Sequence, residues 1–99
     1  MSFVTTQPEA LAASATTLGG VGRAVDTVSA AVAGPTTAIV PAAADEVSAL
    51  TATQFVAHGH LYQAVSVQAA AIHQMFVETL QFSAGSYAAT EAANAAAAG

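Results

Sequence analysis

The sequence predicts an all-α fold, an antiparallel hairpin of two helices, and three observations carry that prediction. Apolar residues recur every seven positions through the first third of the chain. A helix-period apolar arc then runs through residues 45–83, and a connection bearing glycine and prolines lies between the two. Two long helices joined in this way form an antiparallel pair.

Composition narrows the function before any motif does. The 99 residues make one small domain, and a chain of this length gains little from its core alone. Arg23 is the one strong base against six acidic residues, for a formal net charge of −5. Nucleic-acid binding needs a cluster of Lys and Arg to displace counterions, so it is excluded. Docking by charge on an anionic membrane is excluded for the same reason. There is no cysteine, hence no disulfide and no thiolate metal site. Residues 1–9 show neither the basic region nor the apolar run of a cleaved signal peptide. The most apolar window, residues 64–72, is interrupted by Ser66 and Gln68 and falls far short of the ~20 residues needed to span a bilayer. By these tests the chain is soluble and cytosolic; they do not detect a dedicated export route.

Residues 1–5 have no helical period and are expected to form an extended arm. Thr6-Gln7-Pro8-Glu9 fits a capping box, with the Thr6 hydroxyl serving one free N–H and Glu9 reaching back to another. The first helix is expected over about residues 7–33. Leu11, Leu18, Val25 and Val32 repeat every seven residues with Val21 and Val28 between them, a narrow seam suited to packing along a second helix. Gly19, Gly20 and Gly22 weaken this helix or let a neighbour approach closely. Gly34-Pro35 is expected to end it, and residues 34–44 form the connection. Asp45 and Glu46 favour a helix start by capping and by complementing the helix dipole. The second helix is expected over about residues 45–83, with Ser83-Ala84-Gly85-Ser86 ending it and a tail at 87–99.

The second helix carries the large side chains. At 100° per residue, Leu50, Phe55, Leu61, Tyr62, Val65, Ile72, Met75, Phe76 and Leu80 fall on one arc with Val47 and Phe82. The arc is about 180° wide, whereas a helix packing on one core shows a stripe of roughly 100°. The first helix is expected to cover about half of it. The rest marks an interaction surface, to be covered by another helical protein, a second copy of this chain, or lipid. Continuous stripes favour a protein bundle over a lone amphipathic rod with almost no cationic anchors.

Catalytic and metal chemistry find no foothold, and no cofactor is expected. His58 and His60 are two apart and point to different sides of a helix, unlike the i, i+4 pair that binds zinc, and His73 is too distant to join them. His58 falls inside the arc, His73 at its edge, and His60 toward solvent. No nucleophile elbow, phosphate loop or dinucleotide fingerprint is present. A two-helix rod offers no water-excluding pocket either.

Three segments align with one family. Pro8-Glu9 lies near the start, Pro41-Ala42-Ala43-Ala44-Asp45-Glu46-Val47-Ser48-Ala49-Leu50 opens the second helix, and Tyr87-Ala88-Ala89-Thr90-Glu91 follows the hairpin. In these the chain resembles the mycobacterial PE proteins, along its whole length. The resemblance implies a hairpin, residues 1–86, that completes an elongated four-helix bundle with a PPE protein. It also implies export through a type VII (ESX) system, with Tyr87 and Glu91 as the Tyr-x-x-x-Asp/Glu signal in the 87–99 tail. An EspG-type chaperone would then be met only through the PPE subunit. Assembly would be cytosolic, the destination outside the cell or on its surface, and contact with membrane or outer envelope would follow export. Two alternatives remain at this point: a self-associating hairpin like the small WXG-type substrates, although residues 34–44 hold no Trp-x-Gly, and a membrane-active amphipathic protein.

Overall fold

Pro8 opens the first helix, a position where its missing N–H would have had no intrahelical partner. The computed structural model describes residues 5–99, so most of the arm expected at residues 1–5 lies outside it. It is an all-α hairpin of α1, Pro8–Thr37, and α2, Glu46–Ala98, with no strand among the described residues.

Each helix end has a local cause, and several differ from expectation. At the start of α1 the Gln7 carbonyl accepts from the N–H groups of Ala10 (3.0 Å) and Leu11 (3.2 Å). The Thr6 hydroxyl does not close the expected capping box; it donates to Glu91 Oε1 across the hairpin, at 2.7 Å. Gly34-Pro35 does not end α1 at residue 33, because Gly34 adopts no positive φ and the helix runs on to Thr37. The Thr36 and Thr37 hydroxyls bond back to the carbonyls of Val32 and Ala33, both at 2.6 Å, and Ala38 N–H closes the last turn on Gly34. Pro35 has no N–H for the Ala31 carbonyl, and the threonine hydroxyls give the next two carbonyls an additional donor. The connection is correspondingly shorter than the expected 34–44.

Asp45 caps α2 as expected. Its carboxylate accepts from the Ser48 N–H at 2.7 Å and from the Ser48 hydroxyl at 3.0 Å. The backbone bond from Ser48, then the one from its hydroxyl, holds the Asp45 carboxyl below the usual aspartate range. At the other end, α2 continues through Ser83-Ala84-Gly85-Ser86 to Ala98 where a break at residue 83 and a separate 87–99 tail were expected. One glycine costs a helix roughly 1 kcal/mol, and the alanine-rich sequence beyond it is the strongest of helix formers.

The chain packs as two compact units, a turn unit, Arg23–Ile72, and a terminal unit combining residues up to Gly22 with His73–Gly99. In the terminal unit Ala15 is buried and Leu11 and Leu18 half-buried, together with buried Val77 and Ala84 and half-buried His73 and Leu80. The His73 ring lies against Gly22, where a β-carbon would come within 2.7 Å of it, and Nε2–H donates to the Leu18 carbonyl at 2.7 Å. A carbonyl only accepts, so the ring carries its proton on Nε2.

In the turn unit the enclosed side of α1 holds Ser29, Val32, Ala33 and Thr36, and that of α2 holds Ala52, Val56, Gly59, Gln63, Ser66 and Ala70. Ser29 and Ser66 hydroxyls stand 3.3 Å apart, and Gln63 Nε2–H donates to the Ser29 carbonyl at 3.2 Å. The interior columns of α2 therefore alternate steps of four and three, at 52, 56, 59, 63, 66, 70 in one unit and 73, 77, 80, 84 in the other. That is the heptad rhythm of a coiled-coil seam, occupied here mostly by small and polar residues.

This overturns the expected division of the apolar arc. The hairpin's own seam is made mostly by small and polar residues, with Leu11, Leu18 and Val32 of the expected α1 seam and Val77 and Leu80 of α2 among them, whereas Val21, Val25 and Val28 are at least half exposed.

Candidate functional site

Large apolar side chains of α2 are exposed in each unit. In the turn unit Leu50, Phe55, Leu61, Tyr62, Val65 and Ile72 are all exposed, along with Val47. In the terminal unit Met75, Phe76 and Phe82 are exposed, whereas Leu80 is half-buried. The spacing explains this difference: Leu80 lies three residues after Val77 and four before Ala84, on the interior column, so it serves the hairpin itself.

The exposed residues form columns along the helix. Phe55 and Tyr62 are seven apart, as are Val65 and Ile72 in the next column, and Met75 and Phe82 in a third. Seven residues are nearly two full turns, so each pair stands almost in line. From Val47 to Val77 α2 contains no Asp, Glu, Lys or Arg, which leaves this face without formal charge apart from any carried by His58 and His60. Both of these histidines are exposed, His60 as expected; His73, at the edge of the arc, is the one drawn into the hairpin. Val21, Val25 and Val28 add apolar surface on α1 that the sequence reading had assigned to the interior. Their steps of four and three fit an outward column as well as an inward one.

A second group of residues gathers near the start of α1. Tyr87 and Glu91 extend the terminal unit's four-and-three rhythm beyond Ala84. Tyr87 is 46 % exposed and walls a shallow depression of about 320 Å³ with Phe82, Ser83, Ser86 and Thr90. Glu91 is half-buried and accepts the Thr6 hydroxyl, while residues 88–90 and 92–98 are exposed. Pro8 and Glu9, with Gln81 and Ala88, line an open groove of about 400 Å³ in the same unit.

Among the described residues no three His, Cys, Asp or Glu side chains cluster to hold a metal ion, and no helix is long and apolar enough to cross a membrane. The geometry suits surface recognition by packing.

The chain is 62 % identical over 98 residues to PE family protein PE13 of Mycobacterium tuberculosis, with 99 % of each chain covered. It is 56 % identical to PE family protein PE8 and 58 % identical to PE-PGRS family protein PE_PGRS33 of the same species. There 99 % and 97 % of this chain match, spanning 36 % and 20 % of those longer proteins. With the PE family model also matching residues 4–94, the chain belongs to the PE family.

Proposed function

We propose that the chain is a non-enzymatic subunit that completes a four-helix bundle with a PPE protein and carries the pair's type VII export signal at Tyr87 and Glu91. The observation that carries this reading is the inversion of the hairpin. Its buried hydrophobic residues are Ala15, Ala52, Val77 and Ala84, with no large side chain fully buried among the described residues, while Phe55, Tyr62, Ile72 and Phe76 are all more than half exposed. Each large side chain left in water forgoes on the order of 1.5–3 kcal/mol of burial. A second pair of helices laid along the outward face would recover it. Family membership supports the identity of that partner.

On this reading assembly precedes export. The PPE subunit, held by an EspG-type chaperone, meets this chain in the cytosol, and the completed bundle presents Tyr87 and Glu91 to the secretion machinery. The exported pair then acts at the cell envelope or toward the host. The test is size and helicity of the chain produced alone and beside a PPE protein. A poorly folded chain alone and a soluble 1:1 helical complex together are expected. A stable homodimer that ignores the PPE protein would overturn the reading. Tyr87→Ala should then pair normally yet remain inside the cell.

A further inference from the structure

We propose that Thr6 is a positioning residue for the Glu91 carboxylate, so that the export determinant is a composite of the lead-in to α1 and the Tyr87–Glu91 turn of α2. The inference rests on the reading of Tyr87 and Glu91 as the export signal and adds what holds that signal in shape.

Three observations converge on it. The Thr6 hydroxyl donates to Glu91 Oε1 at 2.7 Å, a contact between residues 85 apart in the chain. That is the length of a strong hydroxyl-to-carboxylate bond. At the start of α1 it is the Gln7 carbonyl that takes the Ala10 and Leu11 N–H groups, and the bond of the Thr6 hydroxyl is the one to Glu91. Finally, Glu91 is half-buried within an otherwise exposed end of α2, on the same four-and-three rhythm that brings Ala84 into the hairpin. The rhythm turns Glu91 toward the segment that precedes α1, and Thr6 is the residue that meets it.

A solvent-exposed glutamate samples many rotamers, and ordering it on recognition costs entropy. The Thr6 bond orders it beforehand and fixes which way the carboxylate points relative to Tyr87 one turn earlier. A receptor then reads a preset tyrosine–carboxylate pair. Valine at position 6 keeps the shape of threonine without the donor, and serine keeps the donor.

The experiment compares wild type, Tyr87→Ala, Thr6→Val and Thr6→Ser, each encoded beside a PPE partner in mycobacterial cells. Export is scored as protein in the culture filtrate per amount of soluble complex in the lysate. Loss of export for Tyr87→Ala, a several-fold fall for Thr6→Val and a near-native ratio for Thr6→Ser are expected. If Tyr87→Ala is retained while Thr6→Val exports like wild type, the role of Thr6 is overturned and the signal reading stands. If Tyr87→Ala exports like wild type, the signal reading fails and this inference fails with it. A Thr6→Val complex that is depleted in the lysate but exported at the native ratio also overturns it, because Thr6 would then be only structural.

Discussion

Gly59 packs against the backbone of Thr36 so closely that a β-carbon on it would stand 2.5 Å from the Thr36 carbonyl oxygen and 3.0 Å from its carbon. The obstacle is backbone, which cannot swing aside as a side chain can. Gly59→Ala should therefore destabilise the hairpin despite improving helix propensity. Overpacking costs about 1–3 kcal/mol, against a propensity gain of about 1 kcal/mol, so the net loss reaches roughly 2 kcal/mol. Gly85 has nothing within 4 Å of its virtual β-carbon and no positive φ, so Gly85→Ala should stabilise by about 0.5–1 kcal/mol. Urea unfolding midpoints of the complex with a PPE protein should shift in opposite directions, and a common direction would refute the packing argument.

Phe55→Asp and Phe76→Asp should each abolish pairing with a PPE protein. The side chains are 59 % and 54 % exposed in the chain itself, so the hairpin loses little, but a carboxylate in the bundle would be buried without a partner. Co-purification reads the result. Unchanged pairing would place these residues outside the interface.

The same face predicts a weak response to salt. With no Asp, Glu, Lys or Arg from Val47 to Val77, screening has little to act on along this stretch. The dissociation constant of the complex should hold nearly constant between low and high ionic strength. A steep rise with salt would show that charged groups elsewhere carry the association.

Asp45 gives the start of α2 an acid-side dependence. Its carboxyl is held below the ordinary value of 3.8 by the bonds from Ser48. A lowered folded-state pKa means that its stabilisation is complete above the unfolded value and disappears as pH falls through the folded one. Asp45→Ala should lower the melting temperature of the complex at neutral pH, and its deficit relative to the wild-type complex should shrink below about pH 4. Asp45→Asn, whose amide oxygen still caps, should lose less. A deficit that persists undiminished in acid would contradict the assignment.

Two helices, their antiparallel pairing and the Asp45 cap were readable from residue pattern. Of the inward face only Leu11, Leu18 and Val32 were, because bulk is the mark of an interior position that a sequence shows. Ala52, Gly59 and Ser66 repeat every seven residues as regularly as Leu11 and Leu18, but they lack the bulk that marks an interior position. Helix ends were misjudged at Gly34-Pro35 and at Ser83–Ser86 for a related reason. Local breakers were weighed without the threonine hydroxyls at one end or the alanine-rich run at the other. Tyr87 and Glu91 were singled out by family resemblance. That Glu91 meets Thr6 joins residues too far apart for any local pattern to connect.

The Ser29–Ser66 and Gln63–Ser29 contacts lock the turn unit against sliding. Polar groups meeting at one height forbid the other registers that a purely aliphatic seam would tolerate. Along α2 of that unit, the helix rise sets Phe55 and Tyr62, like Val65 and Ile72, about 10.5 Å apart. The hairpin is thus a ruler with its graduations on the outside. Whatever protein lies along it must carry holes at the same pitch, and a partner whose pattern is displaced by one helical turn would meet ridges instead.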